Sequence, residues 1–269
     1  MSLGHVVIIG FGAIARDLID ILGAQTSAPE KVTVLVRPGR EAELRAILGA
    51  DISVTSDLAA LLATCPDVVV ECAGHRAVAH YGATVLESGT DLILASVGAL
   101  ADADLARELE AAARASGAQC VVPAGAIGGI DALGAARLSG LTSVCYTGTK
   151  PPAAWVGTPA EEVTDLAALT APLTFFEGTA REAARRFPKN ANVAATLAMA
   201  GLGMDKTEVR LVADPGTTEN THAFSVASQA MEFSMQLVGK PSPDNPKTSR
   251  STVYSIARAV MNRRAAIAI

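Results

Sequence analysis

The stretch His5-Val-Val-Ile-Ile-Gly10-Phe-Gly12-Ala-Ile-Ala15 decides how this chain folds. Residues 5–9 form a short, largely apolar run of the kind that makes a strand buried on both faces, and Gly10 ends it. From Ala13 to Leu22 apolar residues recur at helical spacing. A strand that passes through a glycine turn into a helix N-terminus presents backbone N–H groups to an anion. Gly10 permits the tight turn, Gly12 lets the backbone approach a pyrophosphate, and Ala15 permits close helix–strand contact. Gly10, Gly12, Ala13 and Ile14 are therefore candidate cofactor-binding residues. Alone, this fingerprint also describes an ordinary glycine-rich turn, so its weight depends on the pattern of the neighbouring segments.

Outward from that turn, strand-like and helix-like segments alternate. Strands are expected at 32–36, 53–55, 67–71, 91–95 and 119–122, with helices at 41–48, 58–64, 75–88 and 101–116 between them. That rhythm is the signature of a doubly wound parallel sheet of Rossmann type. From Pro123 the texture changes. Helices are expected at 131–139, 175–187 and 192–203, and alternating strands at 142–150, 208–213, 221–227 and 231–238. A proline-rich loop spans 239–248, and an amphipathic helix covers 251–263. The expected architecture is α/β. A dinucleotide-binding domain occupies residues 1–122, a smaller α/β domain with an open, mainly antiparallel sheet occupies 123–247, and residues 248–269 pack back on the first domain.

Of the 269 residues, 50% are hydrophobic, 18% charged and 4% aromatic. The formal charge is −5 and the mean hydropathy +0.33, which excludes a disordered, highly charged chain. Nothing in that balance draws the chain to nucleic acid, and ten aromatics beside 52 alanines make no stacking platform. No uncharged apolar run reaches the ~18 residues of a membrane span, and the N-terminus lacks a basic leader, so no membrane and a cytoplasmic location are expected. Cys65, Cys72, Cys120 and Cys145 form no CxxC pair and no metal spacing with the histidines, and read as reduced, buried small residues.

Three further places carry chemistry. Arg37 and Arg40 follow the second strand, where an acid would hold the ribose hydroxyls of NAD; an arginine there accommodates the 2′-phosphate of NADP, and solvated surface arginines are the plain alternative. Cys72, Ala73 and Gly74 end the strand at 67–71 and are small enough for a cofactor to pass closely, while His75 reads as the cap of the next helix. His5 begins a strand and His80 lies inside a helix, which makes both poor catalytic candidates. His222 comes after the polar loop Asp214-Pro-Gly-Thr-Thr-Glu-Asn-Thr221, where a histidine near neutrality can transfer a proton or position a water.

Taken in order, GFGAIA at 10–15, VVECAGHRAV at 69–78, PAGAIGGIDAL at 123–133, TGTKPP at 147–152, FPKNANVAAT at 187–196 and DPGTTENTHAFSV at 214–226 resemble the L-aspartate dehydrogenase family over essentially the whole chain. The resemblance implies an NAD(P)-dependent oxidation of L-aspartate to iminoaspartate, which yields oxaloacetate and ammonia. It implies that Ala126 and Asn192 contact the nicotinamide dinucleotide and that His222 is catalytic. Asn192 also suits a helix N-cap. A homodimer formed through the second domain is implied as well. The two carboxylates of the substrate require cations or N–H donors, and Lys150, Lys189 and Asn190 are the candidates. The direction stays open: oxidation feeds iminoaspartate to pyridine nucleotide biosynthesis, and amination of oxaloacetate makes aspartate. The alternatives are a two-domain reductase of dihydrodipicolinate reductase or homoserine dehydrogenase type, and a non-catalytic NAD(P)-sensing protein.

Overall fold

In the computed structural model, which describes residues 2–188, 190–242 and 245–268, the strand β1 (His5–Ile9) is central to a six-stranded sheet. The other strands are β2 (Lys31–Leu35), β3 (Ile52–Thr55), β4 (Val68–Glu71), β5 (Leu92–Leu94) and β6 (Cys120–Val121). Their order is β3-β2-β1-β4-β5-β6 and every pairing is parallel. Helices α1 (Ala13–Gly23), α2 (Glu41–Leu48), α3 (Leu58–Leu62), α4 (His75–Glu87) and α5 (Ala103–Ser116) connect them. Val6, Val7 and Ile8 are fully buried, as a central parallel strand demands. Asp102 caps α5 by accepting from the amides of Asp104 and Leu105, and Gly117, at φ +78°, ends it in the left-handed conformation. Strand order reverses where β1 lies between β2 and β4, the place in such sheets where ligands bind.

The second sheet has the order β11-β10-β7-β9-β8, from β7 (Leu141–Lys150), β8 (Leu173–Thr179), β9 (Glu208–Ala213), β10 (Asn220–Ser228) and β11 (Glu232–Gly239). Only β7 and β9 run parallel. Helices α6 (Ile130–Leu138), α7 (Ala180–Arg186) and α8 (Asn192–Ala200) accompany it. Alternation decides which side chains face the core: Val144, Tyr146 and Lys150 on β7 and Asn220, His222, Phe224 and Val226 on β10 are buried.

Four local expectations are corrected. The single helix expected at 175–187 is strand β8 followed by α7. Phe175 and Phe176 belong to the strand and pack on Phe187, and a capping box between Thr179 and Glu182 starts the helix only at Ala180. Part of the expected loop at 239–248 pairs as β12 (Pro241–Ser242) with β13 (Asn245–Ser249). The caps expected of His75 and Asn192 fall one residue earlier, on Gly74 and Ala191; both side chains open their helices instead. Cys65 is exposed rather than buried, and the other three cysteines are half-buried.

The chain divides into two compact units, residues 1–123 with 253–269, and residues 124–252. The last helix, α9 (Ser251–Asn262), places Val253, Ile256, Ala257 and Val260 in the core formed by Val6, Ile8, Leu18, Leu22, Val68, Val70 and Ile93. That spacing is one apolar helical stripe. Ion pairs of Arg263 with Asp91 and of Arg264 with Asp67 hold its end to the same unit.

Candidate functional site

A cavity of about 900 Å³ opens at the carboxyl ends of β1, β2 and β4. Gly10 lies on its wall at φ +90°, and a Cβ there would stand 2.7 Å from that of Ala73, so conformation and contact both demand glycine. Gly12 is the N-cap residue of α1 and supplies no side-chain acceptor to the first helical amides. A Cβ on Gly12 would meet nothing within 4 Å, so open space lies over that helix end. Arg37, Arg40, Arg76 and His80 line the cavity with Cys72, Ala73 and Tyr81, and among the described residues its wall contains neither Asp nor Glu. Room above helix amides with an acid-free basic rim fits the pyrophosphate and phosphates of a dinucleotide. Arg40 is already paired with Glu43 at 2.5 Å, whereas Arg37 has no such acidic partner among the described residues.

The structure brings Gly10, Gly12, Arg37, Cys72 and Ala73 to this one cavity. Ala13 and Ile14 are the first residues of α1, with the Ile14 side chain packed against the core, and Gly74 caps α4. Ala126, at 6% exposure, and Asn192, at the start of α8, belong to the second unit. Arg76, His80 and Tyr81 escaped sequence reasoning because a helix shows its ligand-facing side only once it is docked.

Sequence reasoning also missed Glu71. It is buried at the end of β4, where Oε1 accepts from the amides of Ala73 and Gly74 at 2.7 Å each and from Ser96 Oγ at 3.0 Å, while Oε2 accepts from the Ser96 amide at 3.0 Å. Burial pushes its pKa up and the four hydrogen bonds oppose that. Glu71 thereby ties the Cys72–Gly74 wall to the end of β5. Burial, and then the Glu71 charge, raise the Cys72 thiol well above its ordinary value, which keeps it neutral beside the cavity. An acid closing a run of three valines was the available signal.

The second unit buries a polar cluster. Lys150 Nζ, on a residue 4% exposed, donates to Asn190 Oδ1 at 3.0 Å and lies 5.4 Å from the centroid of the Trp155 ring. Asn190 Nδ2 is buried and has no hydrogen-bond partner among the described residues. His222 shares a hydrogen bond with Tyr146 Oη through Nδ1 at 2.7 Å, and its Nε2 lies 3.4 Å from Ser249 Oγ. Burial, then the Lys150 charge, lower the His222 pKa from 6.5 to about 3. Burial raises that of Tyr146, so imidazole and phenol are both neutral. An ammonium, an unpartnered amide donor and a neutral imidazole suit an anionic ligand that exchanges a proton. Lys189 lies outside the described residues. Among the described residues no group of His, Cys, Asp and Glu is arranged to hold a metal ion, and no helix is long and apolar enough to cross a membrane.

The depressed His222 value carries a stability consequence. The unfolded chain takes up a proton near 6.5 that the folded one refuses until about 3, so stability is full above 6.5 and falls with pH toward 3. The limiting slope is about 1.4 kcal/mol per pH unit. Urea unfolding at pH 7 and pH 5 will show a shallower loss for His222→Asn than for the wild type.

Residues 131–263 match the family model Aspartate dehydrogenase, C-terminal, and residues 10–123 match Homoserine dehydrogenase, NAD binding domain. The L-aspartate dehydrogenases of Cupriavidus necator and Pseudomonas aeruginosa are each 46% identical to the chain, over 98% of it and 99% of each relative. The solved aspartate dehydrogenase of Thermotoga maritima superposes with a TM-score of 0.78 at 27% identity, covering 98% of both chains. A dipicolinate-bound dihydrodipicolinate reductase from Paenisporosarcina shares the fold alone, with a TM-score of 0.56 at 14% identity over 97% of this chain and 94% of its own.

Proposed function

The chain belongs to the aspartate dehydrogenase family, and from that premise we propose that it oxidises L-aspartate to iminoaspartate, with water then releasing oxaloacetate and ammonia. The observation that carries this reading is the buried Lys150–Asn190–His222 cluster, whose unpartnered Asn190 amide and lysine ammonium suit a carboxylate. Lys150 and Asn190 grip the substrate, whose carboxylate offsets the Lys150 charge that, after burial, is the second cause holding the His222 pKa down. His222, directly or through a water, takes one proton from the α-ammonium, so that the nitrogen lone pair is free to form the C=N bond as the Cα–H bond breaks. A bound NAD or NADP supplies the acceptor for that hydride. Gly10, Gly12, Ala13 and Ile14 hold its pyrophosphate, Arg37 takes the ribose end and a 2′-phosphate where present, and Cys72, Ala73, Gly74, Ala126 and Asn192 contact the rest. Lys189, next to Asn190 in the chain, is proposed as a further carboxylate ligand.

The reading includes a homodimer through the outer face of the second sheet, which exposes Glu208, Arg210 and Ser225, with Val238 at 53% exposure. Light scattering tests its mass. A cytoplasmic location fits the nicotinamide chemistry and the four free cysteines.

The decisive assay is absorbance of the reduced nicotinamide with L-aspartate and either NAD or NADP. D-Aspartate, L-glutamate and L-homoserine serve as controls, the last because the first unit matches a homoserine dehydrogenase model. Reduction dependent on L-aspartate is the expected result, and its absence together with tight nucleotide binding overturns the reading.

A further inference from the structure

We infer that Tyr146 is a positioning residue that fixes the His222 ring through Nδ1, and that glycine stands at position 148 to give the tyrosine hydroxyl room to do so. The inference rests on His222 as the proton-transfer group and adds two residues to it.

Strands β7 and β10 are antiparallel, with His222 paired to Gly148 and Phe224 to Tyr146. The inward side chains of Tyr146 and His222 therefore start two residues apart along adjacent strands, and the phenol must reach across position 148 to meet the imidazole. It does so with the rings near parallel, 15° apart at a centroid distance of 6.1 Å, and with 2.7 Å between Oη and Nδ1. A Cβ on Gly148 would stand 2.6 Å from that hydroxyl oxygen and 3.1 Å from the ring carbon bearing it. Gly148 is not among the glycines with positive φ, so its backbone has no need of glycine; the tyrosine has.

Both rings are buried, at 1% and 3% exposure, so water does not replace a lost partner cheaply. A phenol hydroxyl both donates and accepts, so this contact fixes the orientation of the ring; where Nδ1 donates to Tyr146 Oη, Nε2 is left as the nitrogen that takes a proton. The Ser249 hydroxyl, at 3.4 Å from Nε2, is too distant to hold that nitrogen as firmly. Without Tyr146 the ring can turn over and place carbon where nitrogen is needed. Misplacing a reacting group in this way is a loss of turnover and not of affinity.

The test compares the wild type with Tyr146→Phe, Gly148→Ala, the double variant and His222→Ala. Turnover, the KM for L-aspartate and the nucleotide dissociation constant are measured, together with the ring nitrogens of histidine-labelled protein by nuclear magnetic resonance, His222→Ala assigning the signal. Tyr146→Phe and Gly148→Ala are each expected to lower kcat about 10- to 100-fold, with KM and nucleotide affinity unchanged. The ring-nitrogen signals of His222, sharp for the one ring orientation of the wild type, broaden in both. The double variant loses far less relative to Tyr146→Phe than Gly148→Ala loses relative to the wild type, because the 2.6 Å clash with the hydroxyl is gone and only the 3.1 Å approach to the ring carbon remains. Tyr146→Phe with wild-type turnover and His222 signals as sharp as the wild type's overturns the inference, while loss of turnover in His222→Ala leaves the histidine reading intact. Wild-type turnover in His222→Ala removes both together.

Discussion

Replacing His222 by alanine lowers kcat for L-aspartate by about 10²- to 10⁴-fold, the range in which a positioned acid–base group acts. The nucleotide dissociation constant stays where it is, because the hydrogen-bonding contacts of His222 run to Tyr146 and Ser249, within the second unit. The variant also leaves the buried Tyr146 hydroxyl without its partner, which costs about 1–3 kcal/mol of stability. Turnover must therefore be read at a temperature where circular dichroism shows the variant folded. A folded variant that turns over at the wild-type rate removes His222 from the chemistry.

Replacing Lys150 by methionine lowers kcat/KM for L-aspartate by about 3–5 kcal/mol of transition-state binding, or roughly 150- to 4,000-fold, through a raised KM. A carboxylate buried beside Asn190 then lacks the cation that offsets its desolvation, which is the costly half of breaking a buried pair. Methionine keeps an unbranched stem against Trp155, so packing is largely retained. Without substrate the same change removes a buried charge but leaves the buried Asn190 Oδ1 without its donor, which costs about 1–3 kcal/mol of stability, so turnover is again read on protein shown to be folded. A second signature is independent of activity. Because the Lys150 charge is one of the two causes lowering the His222 pKa, Lys150→Met moves the His222 titration upward in the free protein. An unchanged KM rejects Lys150 as the carboxylate ligand. A His222 titration that does not move rejects the electrostatic coupling between them.

Parts of the site differ in how far they were legible. The Gly10–Ala15 turn was readable because its requirements are local: a strand ends, a left-handed residue comes next, and a helix begins within a few positions. Residues 175–187 were misread because apolar spacing alone does not separate a strand from a helix. The capping signal at Thr179 and Glu182 was present, and weighing it before the periodicity would have divided the segment. Asn192 shows the opposite error. A residue type that favours an N-cap was given that role, and the chain placed Ala191 there.

The alternation of strand and helix through the first sheet, its glycine turn and the absence of an acid after the second strand could all be read along the chain, since buried parallel strands and glycine turns are written in neighbouring residues. The polar cluster could be named only as scattered candidates. Lys150 and Asn190 lie 40 positions apart, and Tyr146 and His222 lie 76 apart. The meeting of Tyr146 with His222 depends on the register of β7 with β10 and on side-chain parity, which a one-residue slip would reverse, and that of Lys150 with Asn190 on how the connection between α7 and α8 packs against β7. Burial likewise came only with folding: it lowers the His222 pKa, raises that of Glu71 and leaves the Asn190 amide without a partner among the described residues, and each effect depends on what the rest of the chain packs around the group.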